Sequence, residues 1–263
     1  MKNNLNFRTI GLAALCALAV SCGSKGGDPT PGGGGPLVSQ IDIQSSNDYG
    51  SYTSNAIFSY DNQRRVVEVE SSHSASGEDP WSGTTTYTYG TDNSITITDP
   101  DGQLVGILDA MGRVSLITYF DDTNVTVTYD ANGYMQKVST SGAVVLGPAS
   151  FTWSGGNITQ TQDAPTNNFI NTITYTDKTY KGNLYLEYFT YVISSVGEIE
   201  MNFGDFGLLG YCGKPCANLP LKVTMLDREI DYSYTFNSDG TVKTITENDS
   251  DANSTTVTTF SYK

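Results

Sequence analysis

From about residue 50 to the C-terminus, large apolar side chains recur at every second position in short runs broken by Asp, Asn and Gly. Phe58-Ser59-Tyr60 runs into Asp61-Asn62-Gln63 and on to Val66-Val67-Glu68-Val69. Tyr87-Thr88-Tyr89 leads through Gly90-Thr91-Asp92-Asn93 into Ile95-Thr96-Ile97, and Leu108-Asp109-Ala110-Met111-Gly112-Arg113 leads into Val114-Ser115-Leu116-Ile117. Val127-Thr128-Tyr129 passes through Asp130-Ala131-Asn132-Gly133 to Met135 and Val138. Phe151-Thr152-Trp153 passes through Ser154-Gly155-Gly156-Asn157 to Ile158. Tyr232-Ser233-Tyr234 passes through Asn237-Ser238-Asp239-Gly240 to Val242 and Ile245, and the chain closes on Phe260-Ser261-Tyr262. A spacing of two puts both large residues on one face of a strand and Thr or Ser on the other. Asn or Asp before Gly suits the left-handed backbone of a tight hairpin turn.

These features predict an all-β fold: an antiparallel meander of repeated hairpins, either a strongly twisted sheet or barrel-like. Residues 37–263 read as a single β-rich domain, long enough to bury a core. The stretch Asn202–Pro220 breaks the rhythm with four glycines and two prolines, leaving room for one short helix near Asp205–Leu209.

The hydrophobic pattern at the N-terminus is of another kind. Lys2 and Arg8 precede an uncharged run from Thr9 to Ser21, with Leu12, Leu15, Leu18 and Val20 its most apolar members. As a helix that run spans roughly 20 Å, short of the ~30 Å of a bilayer core, which fits a secretory signal rather than a membrane span. It ends Leu18-Ala19-Val20-Ser21-Cys22, which resembles the lipobox of bacterial lipoproteins, with Leu18 one place upstream of its usual position. The resemblance implies cleavage before Cys22, several acyl chains on that cysteine, and a signal peptide of residues 1–21. The alternative, cleavage after Ala17-Leu18-Ala19, would leave Cys22 a thiol. Gly23–Pro36 follows as fourteen residues with almost nothing that packs. Residues 22–36 therefore read as a tether with a root-mean-square reach of about 20 Å. One acyl chain anchors weakly and two or more anchor stably. By analogy with lipoprotein sorting, Gly23 in the second position argues for the outer membrane, with the periplasmic or cell-surface face left open.

Composition adds exclusions. Twenty-eight acidic residues stand against fourteen basic ones, so electrostatic binding to nucleic acid is not expected. Outside the cytoplasm Cys212 and Cys216 could pair across Gly213-Lys214-Pro215, adding roughly 2 kcal/mol. Two buried thiols or half a metal site are the alternatives, and neither a metal nor a cofactor is expected.

No catalytic set emerges. His73, the single histidine, lies in Ser71-Ser72-His73-Ser74-Ala75-Ser76-Gly77, a loop composition without a visible serine–carboxylate context. Glu198 and Glu200, like Glu68 and Glu70, would share a strand face about 7 Å apart, a separation compatible with glycosidase carboxylate pairs and equally with a solvated strand face. Asp99/Asp101, Asp121/Asp122 and Asp249/Asp251 read first as turn residues. Trp81 in its Pro-Gly loop, with Tyr185, Tyr188 and Tyr191, makes the candidate ligand-binding set.

The hairpin phrase, as in Tyr129-Asp130-Ala131-Asn132-Gly133, resembles the YD repeats of Rhs-type proteins; in the first copy Arg64 replaces the Gly. With the lipobox, the tether, Gly207–Lys214 and Asn218-Leu219-Pro220, most of the chain resembles domain-of-unknown-function lipoproteins of gut bacteria. That resemblance implies a β-rich envelope protein and supplies no catalytic residues. The function expected is a membrane-anchored, non-catalytic binding or scaffold lipoprotein with a glycan or envelope protein as partner. A glycan-binding accessory protein is the alternative, and a glycoside hydrolase using an acidic pair a further one.

Overall fold

In the computed structural model, which describes residues 36–48, 50–142, 148–163, 170–179, 206–207, 209–226 and 228–263, sixteen antiparallel strands close into one barrel. In chain order they are β1 Val38–Asn47, β2 Gly50–Tyr60, β3 Val66–Ala75, β4 Trp81–Tyr89, β5 Ser94–Asp99 and β6 Gly102–Leu108. Next come β7 Val114–Tyr119, β8 Asn124–Tyr129, β9 Met135–Ser141, β10 Ala149–Ser154 and β11 Asn157–Asp163. Then follow β12 Ile170–Thr179, β13 Asn218–Thr224, β14 Glu229–Phe236, β15 Val242–Asp249 and β16 Ser254–Tyr262. Each strand pairs with its neighbours in sequence, and β1 closes the ring on β16. The signal, Cys22 and most of the tether lie outside the described residues, as do Tyr185, Tyr188, Tyr191, Glu198 and Glu200.

The repeated phrase has a physical cause at each joint. Asp61, Asp109 and Asp130 each open a turn in which one carboxylate oxygen accepts two backbone N–H groups, two and four residues on, at 2.8–2.9 Å. The fourth turn residue is left-handed: Gly112 (φ 72°), Gly133 (φ 88°) and, in the first copy, Arg64 (φ 68°). The aromatic before each turn makes the second joint. The hydroxyls of Tyr60, Tyr89, Tyr129, Tyr175, Tyr234 and Tyr262, and the Trp153 indole N–H, donate to a carbonyl near the start of the preceding strand at 2.6–2.8 Å. Turns thus join β2 to β3 and β8 to β9, while aromatic staples join β2 to β1 and β8 to β7. Arg65 stacks on Tyr89 at 4.1 Å and Arg113 on Tyr129 at 4.2 Å, linking each turn to the next hairpin's aromatic. Tyr129→Phe should lower stability by about 1 kcal/mol, because the Val114 carbonyl loses its 2.7 Å donor; urea unfolding of the pair of proteins measures it.

This stapled end is also covered. Along the segment before β13, the Val114 N–H donates to the Tyr211 carbonyl, Lys214 N–H to Gly133, and Ala217 N–H to Gly156. Phe206, Leu209, Tyr211, Cys212 and Cys216 are all at most 5 % exposed there. Phe206 and Gly207 take helical backbone geometry, within the stretch where a short helix was expected. Leu37 and Lys263 exchange backbone hydrogen bonds at the same end, so β1 begins at the covered end.

A barrel of sixteen strands normally encloses water. Here the inward side chains form an apolar core instead: Ile41, Ile95, Ile97, Ile117, Met135, Ile158 and Ile230 are all at most 1 % exposed. The outward positions carry Gln44, Thr53, Glu70, Thr84, Gln103, Thr126, Lys137, Asp231 and Thr255, all exposed. A lipid-embedded barrel needs a continuous apolar outer band about 25 Å tall. Among the described residues, exposed large apolar side chains are scattered, with Ile57, Ile107, Ile170, Leu221 and Phe236 on strands and Met111, Phe120 and Leu226 in turns. Polar side chains dominate the described part of the outer face.

Candidate functional site

Strands β1–β4 carry the candidate site near the end opposite the staples. Strand alternation decides what each face presents there. Ile43, Ser54, His73 and Trp81 are register partners in one row whose side chains point inward. On the outer face the residues flanking that row make two walls. Asp42, Asn55, Ser72 and Ser82 are register partners across the four strands. Two positions along, Gln44, Thr53 and Ser74 form the other wall, which Pro80 extends. These walls, with Ile43, Ser54, His73 and Trp81 between them, line a groove of about 460 Å³ running across the strands.

The first wall is held in place from within. Asp42 accepts from Asn55 Nδ2 at 2.7 Å and from Gln40 Nε2 at 2.9 and 3.0 Å. Its carboxylate is therefore oriented before any ligand arrives. No lysine or arginine lines the groove.

Behind the groove, on the inner face, Ser54 Oγ lies 2.7 Å from His73 Nδ1, and the Tyr52 ring stacks 5.5 Å from the imidazole. His73 is thus a half-buried strand residue on β3, not the solvated loop histidine expected: the strand continues through the serine-rich segment because β2 and β4 pair with it on both sides. No carboxylate orients the imidazole among the hydrogen bonds of the described residues, so the serine–histidine contact lacks the third member of a triad. Trp81 opens β4 as a half-buried residue with its indole over Gly83, pointing inward.

Further round the inner wall, Arg228 Nε donates to Asp249 at 2.6 Å. The Asp249 carboxylate, its side chain wholly buried, also accepts the N–H groups of Asp251 and Ala252. Glu247 lies two residues before it on the same face. Burial pushes the Glu247 carboxyl up to about 7; nearby Arg228 and a Tyr232 hydrogen bond act against that, and Asp249 adds to it. The row continues through Thr256 and Ser45, whose hydroxyls are 2.8 Å apart.

The pairing of Cys212 with Cys216 is corrected. The two buried sulfurs are not joined, and Cys216 Sγ lies 3.4 Å from the Tyr175 hydroxyl. The reason is the path of the segment. Its contacts at Gly133 and Gly156 lie on successive hairpins, roughly 10 Å apart at two strand spacings each. Cys216 is thereby carried toward the Tyr175 hydroxyl on β12 rather than back to Cys212. Among the described residues no group of three or more His, Cys, Asp or Glu side chains converges as a metal site. Glu68 and Glu70 sit on the outer face of β3, Glu70 fully exposed.

Sequence reasoning missed the groove and the Arg228–Asp249–Glu247 cluster. The signal for the first was available: Gln40, Asp42, Gln44, then Thr53, Asn55, then Ser72, Ser74 alternate as uncharged or acidic short side chains without a single basic residue. The signal for the second was weak, because Asp249 reads as a turn residue and does cap a turn.

Taken together, these features define a plugged sixteen-stranded barrel with a groove across four strands whose walls are polar. No known family model matches the chain, and no curated protein matches it in sequence. Among solved structures it is similar to a porin-like protein from Bacteroides uniformis, at 17 % identity and a TM-score of 0.65, over 86 % of this chain and 98 % of that one. A porin-like protein from Bacteroides vulgatus aligns over the same shares at 14 % identity, with a TM-score of 0.36. The first likeness shows a shared barrel fold.

Proposed function

We propose that the protein is a lipid-anchored envelope protein of the outer membrane with a non-catalytic binding or scaffold role. The observation that carries this is the polarity of the barrel. An interior that is mainly apolar, with one polar row near Ser45, Ser54 and Asp249, and a polar outer face suit a domain held beside a membrane rather than one embedded in it, and a domain of that kind needs a separate anchor. The lipobox-like Leu18–Cys22 and the Gly- and Pro-rich residues after it would supply one, upstream of Leu37 at the plugged end. A partner then meets the barrel walls and the opposite rim. The porin-like naming of the structural neighbour agrees with an envelope setting for this fold. Growth with radiolabelled palmitate tests the anchor: the wild-type chain should take up label and sediment with membranes. Cys22→Ala should lose the label and move to the soluble fraction. Label that persists in the variant, or an unlabelled soluble wild-type chain, overturns the proposal.

A second reading, glycan binding at the envelope, is favoured by one feature, the hydrogen-bonding walls of the β1–β4 groove, in which Asp42 is the one charged side chain.

A further inference from the structure

We propose that the groove across the outer face of β1–β4 binds a neutral, extended saccharide segment. The proposal deepens the binding role above and rests on it.

Size comes first. Walls two residues apart along a strand stand about 7 Å apart, and four strands span roughly 14 Å. At about 460 Å³ the groove is as large as sites that hold small ligands, and it would take two or three sugar rings laid across the strands.

The lining then selects the chemistry. Anionic ligands need a cation, and the groove has neither lysine nor arginine. A divalent cation needs six or more oxygens. The one carboxylate here faces amide donors from Gln40 and Asn55 rather than a vacant centre. An acyl chain or apolar peptide needs a continuous apolar floor, but the row between the walls alternates Ile43 and Trp81 with the polar Ser54 and His73. What remains is a surface of hydroxyls and amides with one pre-oriented acceptor. Ser and Thr hydroxyls both donate and accept, and so do sugar hydroxyls, so the two arrays can pair in several registers. Asp42 supplies the charge-assisted acceptor, the strongest hydrogen bond such a site can offer to an uncharged polyol.

The placement agrees. The groove lies on a wall toward the end opposite the plug, where a polymer can reach it without passing the plugged face.

Calorimetric titration of the full chain in a zwitterionic, sugar-free detergent tests the inference. The probes are cellotetraose, maltotetraose, mannotetraose and chitotetraose, with tetragalacturonate as the anionic counterpart. At least one neutral tetrasaccharide should bind. Asp42→Ala should weaken it about tenfold or more, and Ser72→Trp, which fills the groove, should abolish it. Thr126→Trp, on the outer face of β8, should bind as the wild type does. Circular dichroism melts establish that each variant folds, and Asp42→Ala carries the test if Ser72→Trp does not. Absence of binding by all four neutral probes, preference for tetragalacturonate, or binding that survives Asp42→Ala unchanged would each overturn the proposal. Palmitate labelling at Cys22 reads independently, so loss of the saccharide inference leaves the anchor standing.

Discussion

Replacing Glu247 with Gln should stabilise the protein by about 2–3 kcal/mol at pH 8 and change it little near pH 4.5. The carboxyl sits on the inner face of β15, between Tyr232 and Thr256 in the strand register, and burial raises it from 4.5 to about 7. With the folded value above the unfolded one, the native state holds a proton between these pH values that the unfolded chain has released. Stability from the neutral form is fully present below about 4.5 and is lost as pH rises through about 7. Glutamine keeps the shape and the neutral state at every pH, so the variant removes that loss. The turn carboxylates behave oppositely. Backbone N–H groups and the neighbouring arginine outweigh burial at Asp61 and Asp109, lowering both below the usual carboxylate value. Their contribution is present above about 3.8 and lost only as pH falls through the lowered values. Urea unfolding at pH 4.5 and pH 8 therefore isolates Glu247. An equal effect of the substitution at both pH values would show that the carboxyl is not held neutral.

How much of this was legible beforehand depended on whether a feature was local. Alternation and turn chemistry are local, so the meander could be read from the sequence, and each Asp turn formed where Asp was followed by Gly or its stand-in Arg64. Closure was not local: it depends on β1 meeting β16, some 220 residues apart, and no motif in Ile41–Ser45 or Thr256–Phe260 announces the partner. The spacing of two put both large residues of each pair on one face, and the first, such as Phe58 or Tyr87, is buried while the second packs against the core. The second aromatic also does something the pattern could not reveal, donating its hydroxyl, or at Trp153 its indole N–H, to a carbonyl of the neighbouring strand start. His73 failed for the reason that governs short polar strands: a serine-rich segment has turn composition, yet pairing on both sides holds it extended. Asp249 was read as a turn residue and caps one, but its second carboxylate oxygen also holds Arg228, which turn composition does not announce. The cysteine pair failed because sequence separation fixes the longest possible distance and says nothing of what stretches the chain. The groove is the remaining case, visible only once strand register sets three alternating polar runs side by side.

Phe206→Ala should destabilise the barrel by about 3–5 kcal/mol, the usual cost of emptying a fully buried aromatic site. Phe206 is 0 % exposed and packs against Gly106 on the inner face of β6, where a Cβ would run into the ring. The glycine is thus the socket for the plug. Gly106→Val in the wild-type background should also be costly, since the added methyls meet the ring in a core with no room to yield. The two effects should not add. Once the ring is gone, valine enters the space it left, and the double variant should be more stable than the sum of the single losses predicts by about 1–3 kcal/mol. Urea unfolding of the four proteins gives this coupling directly. Strict additivity would mean that ring and glycine do not touch, and that the segment before β13 lies over the barrel end without being keyed into it. A positive coupling makes the plug part of the cooperative core, which accounts for an interior that sixteen strands alone would leave open to water.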